Sequence, residues 1–105
     1  MLSYGDYLLV KLAEECAEVQ QRVMKLLQFG PGEVQEGQDK TNLKRLRDEV
    51  NDLVAVIDIC EGAGALPTLS FGMQPNLTVD KAAKMKKYLE LSRRLGRVAP
   101  AKHGL

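Results

Sequence analysis

Apolar residues recur at helical spacing in three stretches of the chain, and turn-forming residues separate these stretches. In the first stretch, residues 4–29, apolar side chains return every three or four positions: Leu8, Leu9, Leu12, Cys16, Val19, Val23, Leu26 and Leu27. The sequence Gly30-Pro31-Gly32 follows directly, and such a sequence ends a helix because proline lacks the amide hydrogen that the next turn needs. The pattern therefore predicts a first helix over residues 4–29 and a solvated polar loop over residues 33–40.

The second stretch, residues 42–61, predicts a helix that either Asp39 or Thr41 caps. Its first half is amphipathic, whereas its second half, residues 53–60, is apolar nearly all round, with only Asp58 interrupting. A helix that is apolar on every side must be enclosed on every side, and a chain of 105 residues buries only a modest fraction of its surface. We therefore expect this half to lie between copies of the chain, in a homodimer or a homotetramer.

A third helix is predicted over residues 79–95, with Thr78 as its cap, after an irregular connector at residues 66–76 and before a frayed tail. The expected fold class is all-α. We expect a single domain over residues 1–105, a helical bundle that homo-oligomerisation completes.

Composition and charge make several function classes improbable. The chain carries 15 basic and 14 acidic residues, a net charge of +1, so neither nucleic acid nor a membrane surface is an expected partner. Cys16 and Cys60 lie within apolar helical patterns and lack C-x-x-C spacing, which favours buried free thiols in a reducing compartment. No secretory signal opens the chain, and no stretch approaches the roughly 18–20 apolar residues that cross a bilayer. The expected location is the cytoplasm.

Acidic residues gather in two short clusters on the first two predicted helices. Glu15 and Glu18 are three positions apart, as are Glu49 and Asp52, and such pairs share a helical face with Cβ atoms about 5–6 Å apart. If the two helices pack antiparallel, the four carboxylates converge, and a divalent cation removes their repulsion. An all-oxygen ligand set suits Mg²⁺ or Mn²⁺, and Mg²⁺ also binds phosphate oxygens. Spacing alone favours two solvated acidic faces over a metal site, and both interpretations stay open at this point.

Di-iron chemistry is the other use of carboxylates in helical bundles, and the sequence argues against it. Di-iron bundles combine glutamates with Glu-x-x-His pairs on core helices. The one histidine, His103, lies in the predicted tail, where it cannot complete such a pair and is not expected to act as a catalytic base.

The two acidic motifs resemble the signature of all-α nucleotide pyrophosphohydrolases of the MazG type, E-E-x-x-E followed by E-x-x-D. Here the motifs are Glu14-Glu15-Cys16-Ala17-Glu18 and Glu49-Val50-Asn51-Asp52, with KLA before the first and LVAVID after the second. The stretch KAAKMKKYL at residues 81–89 resembles the C-terminal helix of small MazG-like chains, so the resemblance covers roughly residues 8–95. Thirty residues separate Glu18 from Glu49, a slightly long spacing that the loop after the first helix absorbs.

The resemblance implies Mg²⁺-dependent conversion of a ribo- or deoxyribonucleoside triphosphate to the monophosphate and pyrophosphate. It implies that Glu15, Glu18, Glu49 and Asp52 bind Mg²⁺, or Mn²⁺ in its place, and that one of these carboxylates accepts a proton from the attacking water. Glu14 would have an outer, weaker role. The alternative is a catalytically silent helical dimer that acts as an interaction or nucleotide-binding module. A nucleic-acid-binding domain that uses the third helix is a further alternative, and the balanced charge argues against it.

Seven residues are candidates for contacts with the nucleotide: Lys11, Arg22, Asn42, Lys81, Lys84, Lys87 and Tyr88. The two on the first helix share the face of the carboxylates, so they either pair with those acids or contact phosphates. The three lysines of the third helix fit either a solvated basic face or a phosphate clamp. Asn42 and Tyr88 are placed to contact a base or a ribose, although a tyrosine among aliphatic neighbours also fits packing.

Overall fold

A computed structural model describes residues 1–67 and 75–100 of the chain, with side chains from residue 79 onward in the second range. Its helices are α1 (Tyr4–Phe29), α2 (Asn42–Gly62) and α3 (Pro75–Arg94). These described ranges contain no β-strand beyond one isolated bridge, so the all-α prediction is confirmed. None of the helices in them is long and apolar enough to span a bilayer.

The chain divides into two units, Met1–Leu69 with α1 and α2, and Ser70–Leu105 with α3. The first unit is a helical hairpin, and it contains both acidic motifs. A single domain over the whole chain, completed by further copies, stays a prediction.

The bounds of α1 follow from local chemistry, and the prediction of residues 4–29 is confirmed. The Ser3 hydroxyl accepts a hydrogen bond from the Asp6 amide at 3.0 Å, which satisfies one of the unpaired donors of the first turn. At the other end Gly30 has a φ of +91°, a backbone conformation that favours glycine, and its amide donates to the Leu26 carbonyl at 2.9 Å. The chain therefore leaves the helix at the predicted glycine.

Thr41 is the cap of α2, because its hydroxyl accepts from the Lys44 amide at 3.2 Å. The structure thus decides between the two predicted caps. The helix ends at Gly62, one residue later than predicted, and Gly64 follows in a left-handed conformation with a φ of +74°.

The structure corrects the prediction for α3. This helix begins at Pro75, four residues before the predicted start, so Thr78 lies inside the helix and is not its cap. A proline suits the first turn of a helix, because its missing amide hydrogen has no partner there in any case. Of the predicted connector, residues 68–74 lie outside the described part of the chain. Residues 96–100 are not helical, and residues 101–105, with His103, lie outside the described part as well.

Helices α1 and α2 pack antiparallel along one seam. At one end of it the Cys60 thiol donates to the Leu8 carbonyl at 3.6 Å, and at the other the Asn42 side chain reaches the Gly30 carbonyl at 2.9 Å. Leu8 and Cys60 are the buried apolar residues of the described ranges, and Cys60 is a free thiol as predicted. Cys16 is exposed, so its predicted burial is wrong. Within its unit, α1 has a single partner helix, and Cys16 lies about 100° around α1 from Glu15, which faces that partner.

The loop between the two helices is exposed as predicted, yet its ends are tied together. Val34 and Thr41 form an antiparallel bridge, and the Asn42 amide donates to the Glu33 carbonyl at 2.9 Å. The Asn42 side chain is 1% exposed and donates both to Gly30 and to the Glu33 carboxylate, the latter at 3.2 Å. Asn42 therefore fixes the exit of α1 against the entrance of α2.

Replacing Asn42 with alanine is expected to lower the free energy of unfolding by about 1–3 kcal/mol, because it removes the two part-buried hydrogen bonds that the Asn42 side chain donates. Urea denaturation followed by circular dichroism measures the change. Asn51→Ala on the exposed side of α2 is the control, with an expected change within about 0.5 kcal/mol. Equal losses in the two variants would contradict the structural role of Asn42.

Candidate functional site

Charged residues interrupt the α1–α2 seam midway between its ends. Glu15 and Arg22 follow Leu8 at intervals of seven residues, which returns a helix to within about 20° of the same direction. Glu49 follows the buried Asn42 by the same interval on α2. The seam is thus closed at its two ends, and carboxylates and a guanidinium face its middle.

Three of the four predicted metal ligands meet at this point. One carboxylate oxygen each from Glu15, Glu18 and Glu49 lies within 4.8 Å of the others. Glu15 and Glu49 are half-buried, while Glu18 is exposed. Among the residues that the structure describes, the buried Oε2 atoms of Glu15 and Glu49 have no hydrogen-bond partner. Asp52 is exposed and its carboxylate lies outside this three-oxygen cluster.

Burial and, after it, the crowding of like charges raise the pKa values of two acids in the cluster. Burial, followed by the neighbouring carboxylates of Glu18, Glu15 and Asp52, raises the pKa of Glu49 from its ordinary 4.5 to about 7. Burial, Glu18 and Asp52 likewise raise the pKa of Glu15. Asp52 is therefore close enough to act on both glutamates through its charge.

We expect the thermal stability of the metal-free protein to fall as the pH rises from about 5 to about 8. A carboxyl group whose pKa is raised on folding binds its proton more tightly in the folded state, so that stability is present at low pH and disappears as the pH passes through about 7 for Glu49. Differential scanning fluorimetry across this range, with chelator, measures the slope. Mg²⁺ added at high pH is expected to restore the melting temperature, and Glu49→Gln to flatten the slope. A melting temperature that rises with pH in the metal-free protein would contradict this account.

The geometry and the donor set fit a hard divalent cation. Mg²⁺ and Mn²⁺ prefer carboxylate oxygens, and two such oxygens here are already desolvated without a partner in the described residues. Binding of a cation would therefore need little further desolvation of these two oxygens, and it would offset the burial and the repulsion that raise the two pKa values. Glu15, Glu18 and Glu49 are the residues that would hold the ion, with Asp52 beside them.

Lys11 and Glu14 form their own exposed pair on α1. The Lys11 ammonium lies 3.1 Å from the Glu14 carboxylate and 5.4 Å from the centre of the Tyr7 ring. The Glu14 carboxylate raises the pKa of Lys11. The structure thus pairs Lys11 with Glu14 rather than with the clustered acids, and exposed pairs of this kind contribute little to stability.

Arg22 and Asn42, both predicted to contact the nucleotide, are the two buried polar residues of the described ranges. The Asn42 side chain is 1% exposed and its amide holds the loop, so the described contacts give it a structural role, and its contact with a nucleotide stays a prediction. Arg22 is 8% exposed, and its Nη1 atom has no hydrogen-bond partner in the described part of the chain.

The candidate residues of the third helix lie in the second unit. Lys81, Lys84 and Tyr88 line one shallow groove of about 530 Å³, together with Met85, Leu89 and Ser92. These six positions share one face of α3, because they recur at three- and four-residue spacing. Lys87 is exposed and does not line this groove. The groove thus combines a basic end with an apolar and aromatic wall.

Two features of the site are not among the sequence predictions: the burial of Arg22 and the contact of Glu33 with Asn42. The spacing of Leu8, Glu15 and Arg22 by sevens indicates that Arg22 faces the same partner as Leu8, and this signal was present. The contact of Glu33 with Asn42 has no signal in the sequence, because it depends on how the loop returns to α2.

Comparison with known proteins adds no assignment to this geometry. No protein family, curated protein or solved structure matches the chain.

Proposed function

We propose that the protein is a Mg²⁺-dependent nucleoside triphosphate pyrophosphohydrolase of the MazG-like type, with its metal held by Glu15, Glu18, Glu49 and Asp52. The observation that carries the proposal is the convergence of three carboxylates from two helices within 4.8 Å, with two buried oxygens that lack a partner in the described residues. Burying like charges together is costly unless a proton or a cation neutralises them, and a cation neutralises them at a pH above these raised pKa values. The two motifs E-E-x-x-E and E-x-x-D, in this order on two helices, support the substrate class.

In this proposal the reaction is hydrolysis of the anhydride bond between the α and β phosphates. A water molecule supplies the new oxygen, and nucleoside monophosphate and pyrophosphate leave. Mg²⁺ supplies neutralisation of the phosphate charge and a lower pKa for the attacking water. The chain's own carboxylates orient the reacting groups from two rigid helices, and one of them accepts the proton of the water.

The proposed enzyme is a homo-oligomer. Val54 and Ile59 lie about 140° apart around α2, yet they are 48% and 51% exposed, so α2 presents apolar residues on two sides. On α1, Met24 and Leu27 are exposed as well, at 54% and 70%. Exposed apolar surface of this extent supports the proposal of a contact surface, with a second copy of the chain as the partner.

The test is pyrophosphate release from a panel of ribo- and deoxyribonucleoside triphosphates, measured with Mg²⁺ and with excess chelator. We expect release from at least one nucleotide in equimolar amount with its monophosphate, and loss of that release in chelator. Monophosphate with twice its amount of inorganic phosphate would instead indicate stepwise removal of single phosphates.

Absence of turnover by well-folded protein at high concentration would contradict the enzymatic proposal. Calorimetric titration with Mn²⁺ and a non-hydrolysable nucleotide would then distinguish a nucleotide-binding module, which binds both, from a helical interaction module, which binds neither.

A further inference from the structure

The most unusual charged group of the hairpin is the guanidinium of Arg22. It is more than nine-tenths buried, and its Nη1 atom donates to no acceptor in residues 1–67 and 75–100. An arginine is always charged at ordinary pH, so it cannot avoid the free-energy cost of burying a charge by losing its proton. A buried guanidinium without an acceptor is costly, and native proteins rarely keep one without a partner.

The position of Arg22 connects it with the acid cluster. It lies four residues after Glu18 and seven after Glu15, within about 40° of both around α1. It shares the direction of Leu8, whose carbonyl contacts Cys60 of α2, so Arg22 faces the seam. The rise of a helix places it about 6 Å further along the axis than Glu18.

A structural counter-charge for the carboxylates is the simpler role, and the contacts disfavour it. Arg22 forms no ion pair with Glu15, Glu18 or any other acid in the described residues, although a helix routinely allows pairs at four-residue spacing. The seam therefore contains two buried acceptors and one buried donor that do not satisfy each other.

We infer that Arg22 is a phosphate-binding residue. Its guanidinium donates hydrogen bonds to oxygens of a polyphosphate, and the cation bound by Glu15, Glu18 and Glu49 holds the same polyphosphate. Buried carboxylate oxygens without a partner favour the binding of a cation, and a buried guanidinium without a partner favours the binding of an anion. A metal–polyphosphate complex contains both ions. The planar fork of arginine matches phosphate in two-point contacts, which a lysine cannot reproduce. This inference rests on the proposed function for its ligand class, and it adds the residue that recognises the phosphate.

The test uses the full chain, Arg22→Met, Arg22→Lys, and Arg47→Met as the matched control at an exposed position of α2. Calorimetry measures the affinity for inorganic pyrophosphate in the presence of Mn²⁺, and electron paramagnetic resonance measures the affinity for Mn²⁺ alone. We expect Arg22→Met to weaken pyrophosphate binding at least about tenfold, Arg22→Lys to weaken it less, and Arg47→Met to leave it unchanged. Binding of Mn²⁺ alone is expected to stay within about twofold of wild type or to tighten, because a positive charge near the ion is removed.

A purely structural arginine gives a different pattern. It predicts that metal-free Arg22→Met melts at a lower temperature and loses Mn²⁺ and pyrophosphate together, whereas a ligand-binding arginine predicts an unchanged or raised melting temperature. If Arg22→Met does not fold, Arg22→Lys, which keeps the charge, serves as the test. An affinity of Arg22→Lys for pyrophosphate equal to that of wild type would overturn the two-point contact.

The outcomes separate this inference from the proposed function. Unchanged pyrophosphate affinity in Arg22→Met, with nucleotide turnover intact in wild type, overturns Arg22 alone. Pyrophosphate binding that depends on Arg22, without turnover of any nucleotide, overturns the enzyme and leaves the phosphate site. Absence of pyrophosphate binding in wild type overturns Arg22 as a phosphate-binding residue.

Discussion

Replacing Glu49 with glutamine is expected to lower Mg²⁺-dependent pyrophosphate release at least about 100-fold while the helices stay folded. Glu49 is the residue that α2 contributes to the three-carboxylate cluster, so its loss leaves the two other members of that cluster, Glu15 and Glu18, on α1 alone. Glutamine keeps the volume and removes the charge, and the buried Oε2 atom of Glu49 has no hydrogen-bond partner to lose in the described residues. Steady-state rates across a Mg²⁺ titration, with circular dichroism of the same samples, measure both quantities.

The matched control is Asp58→Asn, an exposed acid about two and a half turns later on α2, and we expect its rates to stay within about twofold of wild type. Asp52→Asn is also expected to abolish turnover, as the second motif implies, while it weakens the binding of Mn²⁺ less than Glu49→Gln does, because Asp52 lies outside the cluster. Full activity in Glu49→Gln would contradict the assignment of the cluster to the active site. Full activity in Asp52→Asn would contradict that assignment for Asp52 alone.

The spacing of apolar residues was enough to predict that the three helices form. Helix ends were predictable where the backbone conformation or the side chain of one residue determines the end. Gly30 ends α1 because its backbone conformation is rare for other residues, and Thr41 begins α2 because its hydroxyl caps the first turn. The start of α3 was mispredicted because Pro75 has two meanings in a sequence. A proline breaks a helix interior but suits a first turn, and only the three-dimensional structure decides between them.

The acid pairs were predictable because three-residue spacing places two side chains on one helical face. Their convergence depends on how α2 slides along α1, and the contacts of Asn42 with Gly30 and of Cys60 with Leu8 set that register. At this register Glu49 meets Glu15 and Glu18 of α1, and Asp52 lies outside their cluster. The sequence does not encode such an offset in any local pattern, which is why four ligands were expected and three converge.

The interior of the hairpin was the least predictable feature. The burial of Cys16 was inferred from an apolar neighbourhood, but in a two-helix unit only one stripe of each helix is covered. That stripe takes in Leu8 and Arg22 and leaves most other apolar residues of α1 exposed. The geometry that exposes Cys16 therefore also leaves apolar surface of α1 and α2 uncovered. The helices that carry the site are thus the helices whose apolar surface the proposed oligomer would cover.

Replacing Val54 with aspartate is expected to convert the proposed oligomer largely to monomer at micromolar concentration. Val54 is about half exposed in the single chain, so the change costs the isolated hairpin little. In an interface the same aspartate would be buried without a counter-charge, which weakens association by about 2 kcal/mol or more, roughly 30-fold in the dissociation constant. Sedimentation equilibrium of wild type and variant measures the shift.

Gln38→Asp is the control, because it adds the same charge to the exposed loop of the same unit and is expected to leave the assembly intact. A well-folded wild-type monomer at micromolar concentration would contradict the homo-oligomer, and so would an oligomer that Val54→Asp leaves unchanged.

Because α2 carries both Glu49 and Val54, little more than one turn apart, assembly and metal binding are expected to be linked. Covering the apolar surface beside Glu49 fixes the helix that holds it, so the monomeric variant is expected to bind Mn²⁺ more weakly than wild type, although none of the proposed ligands has changed.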